Sequence, residues 1–215
     1  MSCRLKKILT LFCSFFLLIP VGINSANSEV LQEENFTYKL LDDGSVMITA
    51  YQGAEQELVI PDTLNQYPVS VIDSWAFDHL SNLEKIILPA GLVEIRDNAI
   101  CSCGIASVEI PASVTFIGYS AFNSCNHLES VSFASGGSAL FLNNTAFSQC
   151  EKLESVSFPS DRPIQTDGNP FVGTSILRFS VPSEHPNLAT YQGVLFDKKE
   201  KKTDSLSRSE RRVRL

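Results

Sequence analysis

The chain is poor in the residues that do chemistry. Its 215 residues include one tryptophan, two methionines and three histidines. With only His79, His127 and His185, an imidazole-based metal centre or proton relay has little material. Basic residues are scarce too: 17 Lys and Arg stand against 24 Asp and Glu, for a net charge of −7. A phosphate-binding face needs the opposite balance, so nucleic acid is not the expected partner. No Gly-x-Ser-x-Gly elbow occurs, and Gly136-Gly137-Ser138 lacks the lysine that would make it a phosphate loop. Long apolar runs are absent after the first thirty residues. The single such run, Ile8 to Ile19, follows Arg4, Lys6 and Lys7 and ends at Pro20. It is short for a membrane span, which takes about 20 residues. Residues 1–28 therefore read as a secretory signal peptide, and the remainder is expected outside the cell or on its surface, without stable membrane insertion.

What is present is a globular composition, 44% apolar and 19% charged. Charge is unevenly spread. Residues 29–197 carry 6 basic and 21 acidic side chains, whereas 198–215 carry 8 basic and 3 acidic ones. The end of the chain reads as a basic, solvated, disordered tail. It would leave the last repeat without a proper cap, a strand edge open to self-association.

The body repeats itself. Apolar triplets recur at Leu83-Ile86-Leu88, Ile105-Val108-Ile110, Leu128-Val131-Phe133, Leu153-Val156-Phe158 and Ile176-Phe179-Val181. Leu58-Val59-Ile60-Pro61 resembles an incomplete earlier copy. Ala76-Phe77, Ala121-Phe122 and Ala146-Phe147 ride at the same period, with Ala99-Ile100 and Pro170-Phe171 as variants. Four residues before them stand Ile72, Ile95, Ile117, Leu142 and Thr166, and the residues after those, Asp73, Arg96, Gly118, Asn143 and Asp167, predict a bend. Two linked motifs returning together are not the pattern of a β-sandwich. They predict a solenoid whose coils of ~23 residues bury their apolar faces against each other, with one parallel strand per coil about 4.8 Å from the next.

The runs AFNSCNHLESVSF, from Ala121 to Phe133, and AFSQCEKLESVSFP, from Ala146 to Pro159, resemble the repeat unit of the BspA-type leucine-rich repeat family. Phe36-Thr37-Tyr38, Asp43-Gly44 and Tyr67-Pro68-Val69 resemble that family's amino-terminal module, and Gly193 to Phe196 its closing unit. The resemblance implies an α/β, β-rich leucine-rich-repeat solenoid that serves as a secreted or cell-surface adhesion module. The expected organisation is a polar lead-in over 29–35, an amino-terminal cap over 29–61 with a hairpin at 36–60, about five repeats over 62–197, and the tail.

Candidate sites follow from the register. Cys103, Cys125 and Cys150 share the slot that Leu80 fills, so they are expected inward and apolar rather than bridged. Cys101-x-Cys103 and Cys125-x-His127 mimic zinc-ligand spacing, but that register opposes a site; the three histidines are expected on the surface. No catalytic residue, metal or cofactor is expected. Residues alternating with the inward triplets should form columns on an exposed sheet: Lys85, Ser107, Glu109, Ser130, Ser132, Ser155, Ser157, Arg178 and Ser180. These are the candidate contacts for an extracellular protein or glycan. Two other readings stay open: a structural component that assembles through its last coil, and a hydrolase using carboxylates between Asp161 and Asp167.

Overall fold

The computed structural model describes residues 29–191 and 194–198. The expected signal peptide, Gly193 and the tail beyond Lys198 lie outside the described residues.

Six coils follow one another, each placing a strand on each of two faces. The first face carries β3 (Val46–Tyr51), β6 (Tyr67–Ile72), β8 (Glu94–Ile95), β10 (Phe116–Ile117), β12 (Leu140–Leu142) and β14 (Ile164–Thr166), in parallel. The second carries β4 (Glu57–Val59) paired with β7 (Lys85–Ile87), then β9 (Ser107–Ile110), β11 (Ser130–Phe133), β13 (Ser155–Ser157) and β15 (Arg178–Ser180). The sequence predicts the second set and, of the first, only β3, as a strand of the hairpin over 36–60. Strands of two residues, such as Glu94–Ile95 and Phe116–Ile117, are too short to show alternation.

Among the described residues there is no helix, so the fold is a β-solenoid and the α/β label does not hold. The reason lies in the Ala-Phe corners. Each is flanked by two left-handed residues: Trp75 and His79, Asn98 and Ser102, Ser120 and Ser124, Thr145 and Gln149. A left-handed residue every fourth position cannot continue an α-helix. The alternation points the corner N–H groups at the next coil instead. Phe77 donates to Ala99 O at 2.8 Å, Ile100 to Ala121 O at 2.8 Å and Phe122 to Ala146 O at 2.8 Å. The bend also comes two residues later than predicted. Asp73, Arg96, Gly118 and Asn143, one residue past each strand, still donate to the previous coil, for example Gly118 N to Ile95 O at 2.8 Å, and the left-handed residues Trp75, Asn98, Ser120 and Thr145 follow two positions on.

Apolar columns fill the interior. Ile72, Ile95, Ile117 and Leu142 stack in register and are fully buried. The rings of Phe122 and Phe147 stack at 4.8 Å, and those of Phe133 and Phe158 at 5.2 Å. The ladder of the second face breaks between β7 and β9, where the coil is one residue short. Gly104 lies at this shortening: its N–H reaches Leu80 O at 3.1 Å, and a Cβ would stand 2.2 Å from Ser81 O. Ala106 N to Glu84 O, at 3.0 Å, keeps the two strands adjacent.

The two ends differ from the coils. β1 (Val30–Glu33) pairs antiparallel with β2 (Phe36–Leu40), where a polar lead-in is predicted, and β2 pairs antiparallel with β3 across the Gly44 turn. This meander continues the sheet of the first face, and β5 (Thr63–Leu64) pairs with β6. At the other end, β16 (Leu188–Tyr191) and β17 (Val194–Asp197) form an antiparallel hairpin that puts Leu188 and Leu195 into the core. Asn187 meets the outer edge of β14: its Oδ1 accepts from Ile164 N at 3.0 Å and its Nδ2 donates to Ile164 O at 2.6 Å.

Candidate recognition face

Parallel pairing without a register shift from β9 to β15 carries each outward position straight across the second face. One column runs Ser107, Ser130, Ser155, Arg178; the next runs Glu109, Ser132, Ser157, Ser180. Between and beneath them Val108, Val131 and Val156 are buried, as the period-2 alternation requires. Ser107, Glu109, Ser157, Arg178 and Ser180 are exposed, and Ser130, Ser132 and Ser155 are half-exposed. Lys85 lies on the adjoining β7 and pairs with Glu57 at 3.3 Å, and exposed Val59 and Ile87 lie beside each other at that end. Glu84, Glu129 and Glu154 line one rim and are exposed. All nine candidate residues therefore fall on one face. Chemically it is a hydroxyl surface with an acidic rim, able to donate and accept hydrogen bonds along about five strand spacings of ~4.8 Å.

The cysteines point the other way. Cys101, Cys103, Cys125 and Cys150 are buried and free. Three thiols donate to carbonyls of the preceding coil: Cys103 to Phe77 at 2.9 Å, Cys125 to Ile100 at 3.2 Å and Cys150 to Phe122 at 3.1 Å. Burial pushes the Cys103 thiol up to about 12. Cys101 is also pushed to about 12, first by burial and then by its bond to Asp78 Oδ1 at 2.7 Å. Asp78 holds His79 Nδ1 at 2.6 Å on its other oxygen. The carboxylate thus separates thiol from imidazole, so the cluster lacks the thiol–base contact of a nucleophile. Among the described residues no group of three or more His, Cys, Asp or Glu could hold a metal ion.

His185 is a correction: expected on the surface, it is fully buried. Its Nδ1 accepts from Leu188 N at 2.9 Å and from Asn187 N at 3.3 Å, a tight-turn role with no periodic signal. The carboxylates of the 161–167 segment serve the backbone. Asp161 accepts from Gly136 N at 3.0 Å and Asp167 from Asn144 N at 2.6 Å, so no observation favours a hydrolase centre there. Between them Arg162 is fully buried, donating to Ser138 O at 3.0 Å and Pro111 O at 3.2 Å.

A shallow cavity of about 130 Å³ lies at the first corner, lined by Tyr51, Glu55, His79 and Ser81 among others. Ligand sites typically enclose ~300 Å³ or more. Tyr51 donates a short hydrogen bond to Glu55, and burial and that carboxylate push its phenol up to about 12. The sequence reading misses an outward aromatic pair on the first face. Phe116 and Phe141 pair in register, half-buried, with rings 6.0 Å apart and nearly parallel. Leu140-Phe141-Leu142 carries the alternation that marks it.

The repeat decides the family. A sequence model of the BspA type leucine-rich repeat region, in six copies, matches residues 51–176. The chain belongs to that family. Its fold is similar to the crystal structure of the pneumococcal vaccine antigen PcpA, with a TM-score of 0.62 at 21% identity over 81% of this chain. The chain spans about half of that structure, 55% of its length. A Treponema pallidum leucine-rich repeat protein matches at 27% identity and a TM-score of 0.46, over 61% of this chain and 72% of that one. A leucine-rich repeat protein from Bacteroides capillosus matches at 24% identity and a TM-score of 0.48, over 73% of this chain and all of that one. No curated protein sequence matches the chain. Among the described residues no helix is long and apolar enough to cross a membrane.

Proposed function

We propose that this chain is an exported recognition module that binds an extracellular protein or glycan through its second face, without turnover and without a cofactor. The observation that carries the reading is the unshifted register from β9 to β15, which aligns the hydroxyls of Ser130, Ser132, Ser155 and Ser157 on one open sheet. Solenoids bind through such extended faces. Serine loses little rotamer freedom when covered and offers both donor and acceptor. Membership of a BspA-type repeat family and a fold shared with a pneumococcal vaccine antigen fit a secreted or cell-surface location. In this reading β1–β3 cap the first coil and the segment before Glu29 is the export signal.

The test replaces Ser130, Ser132, Ser155 and Ser157 together with arginine. Wild-type and variant chains, each with and without residues 198–215, are passed over immobilised matrix proteins and a glycan array. Circular dichroism of the variant should match wild type while capture is lost. Capture at wild-type strength by a folded variant would remove the face from the binding reading.

A second reading, assembly through the last coil, has its own observation. Among the described residues β15 pairs only with β13, and Leu177 beside it is 77% exposed. Light scattering across concentration separates the two. Assembly raises the apparent mass with concentration and ignores the serine substitutions; a recognition module stays at the mass of one chain.

A further inference from the structure

We propose that the terminal hairpin, β16 with β17, is an acid-released latch on the last coil and that His185 is its sensor. Several of the latch's fastenings converge on two neighbouring side chains, Asn187 and His185. Asn187 clamps both backbone groups of Ile164, as a further strand would, and its Nδ2 also donates to Asp197 at 3.1 Å. His185 holds the turn that aims Asn187. Its Nδ1 accepts the N–H groups of Asn187 and Leu188, its own N–H donates to Pro182 O at 3.0 Å, and its ring meets Phe158 edge-on at 6.2 Å. Lys198 fastens the far end, donating from Nζ to the carbonyls of Ser183 and His185 and from its backbone N to Asn187 O at 2.6 Å.

An imidazole whose Nδ1 accepts two N–H groups must be neutral, with its proton on Nε2. Nε2 is buried and meets no hydrogen-bond partner among the described residues. Protonating Nδ1 would turn the one acceptor of the turn into a donor facing two donors. No solvent is at hand to compensate, because His185 is fully buried. The three charged groups that act on the ring come from two segments. Asp161, before β14, and Asp197, in β17, favour the cation, while Lys198 opposes it. Burial, with Lys198, outweighs the two carboxylates and holds the imidazole below its ordinary 6.5. The sign follows: the folded turn binds fewer protons than the released one. Latch stability is complete above pH 6.5 and falls as pH drops from 6.5 through the folded value. Release leaves the N–H and C=O of Ile164 unpaired on the outer edge of β14, the kind of edge that pairs with another strand.

Amide hydrogen exchange on the full chain tests this, read as protection factors so that the intrinsic pH dependence cancels. Between pH 7.5 and pH 5.0 the protection of Ile164 and Leu188 should fall, by up to the roughly thirtyfold ceiling that release to an ordinary imidazole sets. Val131, in the middle coils, should hold its protection. His185→Asn places an amide oxygen where Nδ1 stands and does not titrate, so its protection at both sites should be independent of pH. A carbon-13 titration of the His185 ring in the unmutated chain gives a second readout that needs no variant to fold. Loss of protection that survives in H185N assigns the sensing to Asp161 or Asp197 and overturns the proposal. So does a His185 ring that titrates at 6.5 while Ile164 stays protected.

Discussion

The Cys150 thiol donates a hydrogen bond of 3.1 Å to the carbonyl oxygen of Phe122, one coil back. Cys125 repeats the contact to Ile100 and Cys103 to Phe77. Each thiol therefore satisfies a buried carbonyl at the tightest part of the corner, where a leucine would leave it bare. This explains a cysteine column in a chain with no bridged pair among the described residues. Ellman's reagent should accordingly find none of Cys101, Cys103, Cys125 and Cys150 in the folded protein and all four after unfolding in urea without reductant. Fewer than four after unfolding would mean that some are oxidised. Rapid reaction before unfolding would mean that the corners open.

The sequence exposes the second face more fully than the first, and the reason is strand length. Ser107–Ile110 and Ser130–Phe133 span four residues, enough for two inward and two outward positions, so the columns from Ser107 to Arg178 can be aligned by eye. Glu94–Ile95 and Phe116–Ile117 span two, and no period can be read from two residues. His185 escapes such a reading for a different reason. Its partners, Asn187 and Leu188, are local, but its burial depends on Phe158 from the preceding coil. The left-handed corners escape it because their occupants are mixed: Asn98 and His79 favour that conformation, but Trp75 and Thr145, in the slot equivalent to Asn98, do not.

Trp75 makes the cost of such a corner measurable. Its φ is 65° and its side chain is 56% exposed, while the same slot one coil later holds Asn98 at φ 56°. Asparagine tolerates the left-handed region; a bulky aromatic does so at a cost of roughly 1 kcal/mol. Trp75→Asn should therefore raise stability by up to about that amount, seen as a higher urea midpoint with an unchanged slope. A lower midpoint would show that the indole packs more than its exposure indicates.

Gly136 and Gly137 share a conformation and differ in surroundings. Their φ values are 82° and 80°, but a Cβ on Gly136 meets nothing within 4 Å, whereas one on Gly137 would lie 2.1 Å from Ala112 O. Gly136→Ala should cost about 1 kcal/mol, the conformational part alone. Gly137→Ala should cost clearly more, at least ~2 kcal/mol, because the loop must lift off the coil beneath it. Equal losses in chemical denaturation would mean that the loop does not rest on Ala112.

Phe147 and Phe141 separate what the core needs from what the surface displays. Phe147 is fully buried between Phe122 at 4.8 Å and Phe171 at 5.6 Å, so it joins three consecutive coils. Phe141 stacks on Phe116, at 6.0 Å, on the outside of the first face. Truncating a buried phenylalanine costs about 3–5 kcal/mol, transfer and cavity together. An outward, half-buried ring loses its stacking and part of its burial, about 1 kcal/mol. In a solenoid each coil is stabilised by its neighbours, so Phe147→Ala, in the fifth coil, should also break the cooperativity of unfolding, leaving the first four coils folded where the last two have melted. The check is urea unfolding followed by two probes, Trp75 fluorescence for the early coils and far-ultraviolet dichroism for the whole. In Phe147→Ala the two curves should part, and in Phe141→Ala they should coincide. Coincident curves for both variants would mean that the coils melt as one unit despite the broken column.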